Sequence, residues 1–253
     1  MVGFHGLPCW YELATSDLAG SQPFYTSVLG WTWADAGMPG MTYMLASADK
    51  TMVAGSMQTA PGQPPAWAIY FAVDSCDATV AAATALGAKV VAPPADIPNT
   101  GRFAVLIDPQ GAAFAILQPL PLADGSTGGG AFDQKKIGHG NWHELITPDP
   151  AAALAFYGAL FGWKVSQSMP MGPDMTYHIF ARDGLDIGGS FAMPGSKPFW
   201  KPYFGIASAK TALTTVPAAG GKVLRGPDEV PGGAMTLQIT DPQGITLALV
   251  GPA

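Results

Sequence analysis

The sequence predicts an α+β fold made by tandem duplication, with four strand–helix–three-strand modules, two in each half of a 253-residue chain. Three observations carry this reading. Trp10-Tyr11-Glu12-Leu13-Ala14-Thr15-Ser16-Asp17 returns as Trp142-His143-Glu144-Leu145-Ile146-Thr147-Pro148-Asp149, and the offset of 132 still holds at Trp31 and Trp163. Later landmarks recur too: Met41-Thr42-Tyr43 as Met175-Thr176-Tyr177, Tyr70-Phe71 as Tyr203-Phe204, and Asp108-Pro109-Gln110-Gly111 as Asp241-Pro242-Gln243-Gly244. Within each half, two-residue alternation gives way to helical spacing and back, twice. A repeat this long duplicates a whole folding unit and exceeds any solenoid repeat. Each half is large enough to bury its own core. The expected boundaries are a first domain over 1–119, a linker over 120–140 and a second domain over 141–253.

Residues 8–15 alternate as a strand, with Trp10 and Glu12 on one face and Tyr11, Leu13 and Thr15 on the other. Asp17 is a good N-cap, Leu18, Phe24, Tyr25, Val28 and Leu29 follow at roughly helical spacing, and Gly30 stops the helix. Pro23 is tolerable in its second turn. Strands are predicted near 31–36, 41–47 and 52–58, separated by Gly, Pro and Asp turns. After the Pro61-Gly62-Gln63-Pro64-Pro65 break the scheme restarts: a strand over 67–73, an Ala-rich helix over 76–86 ended by Gly87, and strands near 88–92, 102–107 and 112–118. Residues 120–141 carry Asp124-Gly125-Ser126-Thr127-Gly128-Gly129-Gly130 and read as a flexible linker. Its glycines are no phosphate loop, since no Lys-Ser or Lys-Thr and no helix follow. The second half repeats with a strand over 141–147, a helix over 150–161 closed by Gly162, and strands near 163–168, 175–181 and 186–192. A strand over 200–206, a helix over 209–219 and strands near 222–225, 234–240 and 245–250 complete it.

Composition narrows the function classes. The net charge of −6 is mild and the 12 Lys and Arg are scattered, which excludes a basic stripe for nucleic acid. Apolar runs are far too short for a membrane span, and no charged region followed by a long apolar one opens the chain, so a soluble cytoplasmic protein is expected. Cys9 and Cys76 have no counterparts in the second half and read as free buried thiols.

The paired modules, the Phe-Tyr then Gly-Trp helix end and the late Asp-Pro-Gln-Gly turn resemble the vicinal oxygen chelate superfamily, which contains glyoxalase I, bleomycin-resistance proteins and extradiol dioxygenases. The similarity is strongest to two-domain glyoxalase-like proteins. It implies two cupped mixed β-sheets with helices outside, each concave face enclosing a small-molecule pocket. It also implies four side chains holding a divalent ion. Carried over, those positions are Trp10 or Trp142; Ala54-Gly55-Ser56 or Gly188-Gly189-Ser190; Ala68 or Lys201; and Ala115 or Ala248. An ion of this kind needs three or four N, O or S donors at roughly 2–2.6 Å, which these residues do not offer. His143 points away from Trp142 by strand alternation, His5 and His139 lie in terminal or linker segments, and His178 stands alone on a strand. No metal and no cofactor are therefore expected.

The chain has three glutamates, Glu12, Glu144 and Glu229, and the first two occupy equivalent cup-face positions. Tyr70 and Tyr203, two residues after the third ligand position, face the same way. This suggests a carboxylate, a phenol and an indole per half, with Glu12, Glu144, Tyr70 and Tyr203 catalytic and Trp10, Trp142, Lys201, Ala68, Ala115 and Ala248 lining the ligand site. The glutamates serve equally as a structural network held by amides or a tyrosine hydroxyl. Lys201 is open between pairing with Glu144, greeting an anion, and reaching solvent. Trp31, Trp163, Trp67 and Trp200 are assigned to packing, and Asp108 and Asp241 to turns. Methionines over 38–44 and 169–175 suggest an adaptable rim. Two functions follow. One is metal-independent isomerase, cyclase or lyase chemistry on a small apolar or aromatic carbonyl compound, in natural-product tailoring or detoxification. The other is sequestration of a flat ligand, as in bleomycin resistance; a divalent-metal glyoxalase is a third. Because single-domain relatives pair by dimerising, the duplication implies a monomer or weak homodimer.

Overall fold

The computed structural model describes residues 4–120, 130–173 and 175–253. Most of the expected linker's glycine run, 124–129, and Asp174 in the second methionine-rich stretch lie outside the described residues. The first module is β1 (Pro8–Thr15), α1 (Leu18–Leu29), β2 (Thr32–Asp35), β3 (Tyr43–Ala48) and β4 (Thr51–Gln58). The second is β5 (Ala66–Ala72), α2 (Cys76–Ala85), β6 (Lys89–Ile97), β7 (Gly101–Ile107) and β8 (Ala113–Pro119). The third is β9 (Gly140–Ile146), α3 (Pro150–Phe161), β10 (Lys164–Pro170), β11 (Thr176–Arg182) and β12 (Leu185–Phe191). The fourth is β13 (Phe199–Gly205), α4 (Ala209–Ala218), β14 (Lys222–Glu229), β15 (Met235–Thr240) and β16 (Thr246–Gly251).

The predicted α+β duplication is the fold. Each half forms one mixed eight-stranded sheet, ordered β2-β3-β4-β1-β5-β8-β7-β6 and β10-β11-β12-β9-β13-β16-β15-β14. The pairs β1–β4, β5–β8, β9–β12 and β13–β16 are parallel, and the outer pairs β2–β3, β3–β4, β6–β7, β7–β8, β10–β11, β11–β12, β14–β15 and β15–β16 are antiparallel. Helix ends follow the sequence signals. Asp17 accepts from Gly20 N at 2.9 Å and Asp149 from Ala152 N at 3.0 Å. Gly30 and Gly162 close α1 and α3 in the left-handed region, at φ 72° and 74°. Strands β6 and β14 outrun their predicted lengths. They carry Pro93-Pro94 and Pro227, but both strands lie at sheet edges, where register shifts absorb the missing donors.

Packing groups the modules differently from the sequence halves. One compact unit holds Met1–Cys9, Ile69–Gly129 and His143–Trp200, essentially the second and third modules; the other holds Trp10–Ala68, Gly130–Trp142 and Lys201–Ala253, essentially the first and fourth. In the first–fourth unit, Tyr25 stacks on Trp31 and meets Trp67 edge-on, while Phe204 packs against Tyr11 and Trp31. In the second–third unit, Tyr157 stacks on Trp163 and meets Trp200 edge-on, while Phe71 packs against Trp163 and Trp200. Trp31, Trp163, Trp67 and Trp200 are thus core residues, the packing role the sequence assigns them.

Two expectations change here. Asp108 and Asp241 do more than make turns. Asp108 Oδ1 accepts three turn amides while Oδ2 takes the buried Tyr157 hydroxyl at 3.0 Å. Asp241 accepts Gln243 N and Ile245 N with Oδ1 and the Tyr25 hydroxyl with Oδ2 at 2.8 Å. Burial, first, and the neighbouring carboxylate then hold both phenols well above their ordinary pKa. Second, the described end of the expected linker is folded. Phe132 bridges Gly140, Gly138 O accepts Trp31 Nε1 at 2.7 Å, and Gly138 N donates to Gly205 O at 2.8 Å. The equivalent glycine of the first half, Gly6, accepts Trp163 Nε1 at 2.7 Å.

Candidate functional site

Over Trp10–Thr15 of β1, Tyr11, Leu13 and Thr15 are buried, while Trp10, Glu12 and Ala14 are only partly buried. The alternation therefore places the indole and the carboxylate on the face away from the helices. Parallel pairing sets Glu12 beside Gly55 of β4. One strand further out, Tyr43 reaches across that glycine: its hydroxyl donates to Glu12 Oε2 at 2.9 Å and accepts from Trp10 Nε1 at 3.1 Å. Burial, and next the charge of Glu12, hold the Tyr43 phenol well above its ordinary pKa, so it stays a proton donor at neutral pH.

The second half repeats the core of this arrangement. Glu144 on β9 pairs with Gly189 on β12, and the Tyr177 hydroxyl donates to Glu144 Oε1 at 3.1 Å. Tyr177 also stacks on Phe191 at 5.7 Å. Glu144 is only 7 % exposed, more enclosed than Glu12. The signal for both tyrosines was present in the sequence. Tyr43 and Tyr177, and Gly55 and Gly189, recur at one shared offset of 134.

The other predicted positions fall as follows. Tyr70 and Tyr203 are buried and registered beside Ala115 and Ala248 on their parallel partners. Tyr70 belongs to the compact unit that lacks Glu12, and Tyr203 to the one that lacks Glu144. The Tyr70 carbonyl accepts the Cys9 thiol at 3.4 Å, and its ring lies 6.5 Å from Phe103. Trp142 and Ala68 are half-buried. Lys201 does not reach solvent: it is 2 % exposed, with Nζ 5.5 Å from the Tyr203 ring centroid. His143 is buried on the opposite face, its Nδ1 2.6 Å from Ile187 O. Burial pushes its pKa down from 6.5 to about 4. His178 Nδ1 lies 2.8 Å from Ser168 Oγ, and the buried His139 ring contacts Gly130 O. Cys9 and Cys76 are free thiols, and Cys9 is only partly buried. Met41 and Met171 are exposed.

The fold family implies a divalent ion, and the donor set does not fit one. The four positions hold an indole, a glycine, Ala or Lys, and alanine in each half. The neighbouring Ser190 hydroxyl is committed to Leu145 O at 3.0 Å. Among the described residues no three His, Cys, Asp or Glu converge in a way that could hold a metal. Nor is any helix among them long and apolar enough to cross a membrane.

Paired βαβββ modules, two to each mixed eight-stranded sheet, define the fold class of this chain. The family model described as Glyoxalase/Bleomycin resistance protein/Dioxygenase superfamily matches residues 9–116 and 136–249, and the chain belongs to that superfamily. It is 33 % identical to CFP32 of Mycobacterium tuberculosis, whose glyoxylase name is itself provisional, over 98 % of this chain and 95 % of that protein. It is 29 % identical to the anthracycline biosynthesis protein DnrV of Streptomyces peucetius, over 97 % of this chain and 93 % of the relative. The Mn(II)-bound glyoxalase of Novosphingobium aromaticivorans shares the fold, with a TM-score of 0.67 at 18 % identity, over 98 % of this chain and 82 % of that one.

Proposed function

We propose that this protein is a metal-independent member of the superfamily that transforms a small aromatic or apolar carbonyl compound in natural-product tailoring. Glu12, and in the second half Glu144, acts as the proton acceptor. The observation that carries this reading is the directed chain Trp10 Nε1–H to Tyr43 Oη and Tyr43 O–H to Glu12 Oε2, at 3.1 and 2.9 Å, built where the family positions its metal ligands. The likeness to an anthracycline biosynthesis protein supports a polycyclic aromatic ketone as the substrate class.

In the proposed step the Glu12 carboxylate takes a proton from the carbon next to the substrate carbonyl. The C–H electron pair becomes the new C=C bond and the carbonyl π pair moves to oxygen. Protonated Glu12 is a weaker acceptor, so the Tyr43 O–H is released toward the enolate oxygen. Return of the proton at a different carbon completes an isomerisation without oxidant or reductant. General acid–base help of this kind contributes roughly 10²–10⁴-fold. The glyoxylase reading offered by CFP32 needs ion-binding donors that these positions do not supply. Incubation of anthracycline-type ketones with wild-type protein and Glu12→Gln, followed by mass spectrometry and NMR of the product, tests the proposal. Conversion by wild type and its loss in the variant with binding intact is the expected result. A ligand retained unchanged by both proteins moves the reading to sequestration, the function that Trp10 and its indole face would then serve.

A further inference from the structure

Gly55 and Gly189 stand in the middle of strands, where glycine weakens a sheet by leaving nothing to pack and by losing more backbone freedom. Neither adopts a positive φ, so the backbone does not require glycine at either place. Space does. A Cβ built on Gly55 would overlap the hydroxyl and ring of Tyr43, and one built on Gly189 would overlap the ring and hydroxyl of Tyr177. Each tyrosine comes from the neighbouring antiparallel strand, passes over the glycine, and ends on the carboxylate registered beside it. The same three residue types hold the same geometry in two halves that have otherwise diverged at Tyr11 and His143, at Ala68 and Lys201, and at Met57 and Phe191.

From this we infer that glycine, tyrosine and glutamate form a positioning bracket, in which Gly55 and Gly189 are kept bare so that Tyr43 and Tyr177 can fix the orientation of Glu12 and Glu144. The bracket occupies the strand position from which the family's second metal ligand projects, and it puts a neutral O–H donor where a cation would otherwise stand. A site built this way suits an enolisable ketone or a hydroxylated aromatic carbonyl, whose oxygen accepts one hydrogen bond. It does not suit a ligand that must chelate through two adjacent oxygens. The inference rests on the glutamates being the proton acceptors, and its test separates the two ideas.

The chain contains only three glutamates, and exposed Glu229 serves as an internal reference, so carboxyl-¹³C glutamate labelling reads the bracket directly in the full-length protein. Tyr43→Phe is expected to move the Glu12 carboxyl resonance alone, and Tyr177→Phe that of Glu144 alone. Gly55→Ala should move Glu12 as Tyr43→Phe does and lower the melting temperature. Adding Tyr43→Ala to Gly55→Ala should restore most of that loss, because the obstructing ring is gone. With an accepted ketone, Tyr43→Phe should reduce kcat about tenfold or more while leaving KM near wild type, the signature of lost orientation rather than lost binding. The bracket is overturned if Gly55→Ala leaves the Glu12 resonance in place. It is also overturned if the double variant melts no higher than the single, or if Tyr43→Phe retains wild-type kcat. A wild-type protein that turns over nothing, yet shows these resonance shifts and the rescue, rejects the catalytic reading and upholds the bracket.

Discussion

The two copies keep the same bracket and surround it differently. In the first, Glu12 is partly exposed and its tyrosine also receives the Trp10 indole; in the second, Glu144 is 7 % exposed and its tyrosine stacks on Phe191. Tyr11 of the first copy, packed on Phe204, corresponds to the buried neutral His143 of the second, and Ala68 corresponds to buried Lys201. Duplication thus preserved the geometry that aims a carboxylate and released the charges around it. The difference makes Glu12 the more accessible of the two carboxylates.

The largest expected effect tests that difference. Glu12→Gln should cost turnover of an anthracycline-type ketone roughly 10²-fold or more, and Glu144→Gln should cost distinctly less. Steady-state kinetics of both variants decide it, and equal losses would erase the functional difference between the copies. Next comes acid stability. His143 is held neutral in the fold, with its pKa depressed from 6.5 to about 4 by burial. Below about 6.5 the unfolded chain gains a proton that the folded chain refuses. Its contribution is therefore complete above that pH and lost progressively as pH falls toward 4. The full range amounts to about 3 kcal/mol. Urea titrations from pH 7 to 4 should show this slope in wild type and a flatter one in His143→Gln.

The smallest effect concerns the turn glutamines. Gln110 donates to Asp149 O at 2.7 Å and accepts from Asp149 N at 2.8 Å, tying a turn to the cap of α3. Its counterpart Gln243 has a buried Oε1 with no hydrogen-bond partner among the described residues. Gln110→Ala should destabilise by about 1 kcal/mol and Gln243→Ala by little, measured as the difference in urea midpoint.

Much of the fold was legible because the chain states it twice: the Trp-x-Glu strand, the capped helix and the Asp-Pro-Gln-Gly turn each recur. The predicted lengths of β6 and β14 stopped short of Pro93-Pro94 and Pro227, which edge strands tolerate. Alternation placed Trp10 and Glu12 on a common face. It did not reveal Tyr43, whose contact spans three adjacent strands and depends on a side chain that Gly55 lacks. Asp241 was legible as a turn residue through its own neighbours. Its bond to Tyr25, 216 residues away, was not, because no local signal reports which distant phenol a carboxylate will meet.

That separation governs how the molecule is made. The first module packs with the fourth, so a nascent chain that has emerged only to its midpoint lacks the residues that bury Tyr25 and Trp31. The second and third modules, contiguous apart from the segment between the halves, complete their shared core earlier in synthesis. Until the C-terminal strands arrive, the N-terminal aromatic side chains stay uncovered, and non-local closure of this kind is slow and prone to aggregation. Chaperone demand during translation should therefore peak before the fourth module, Phe199–Gly251, has left the ribosome.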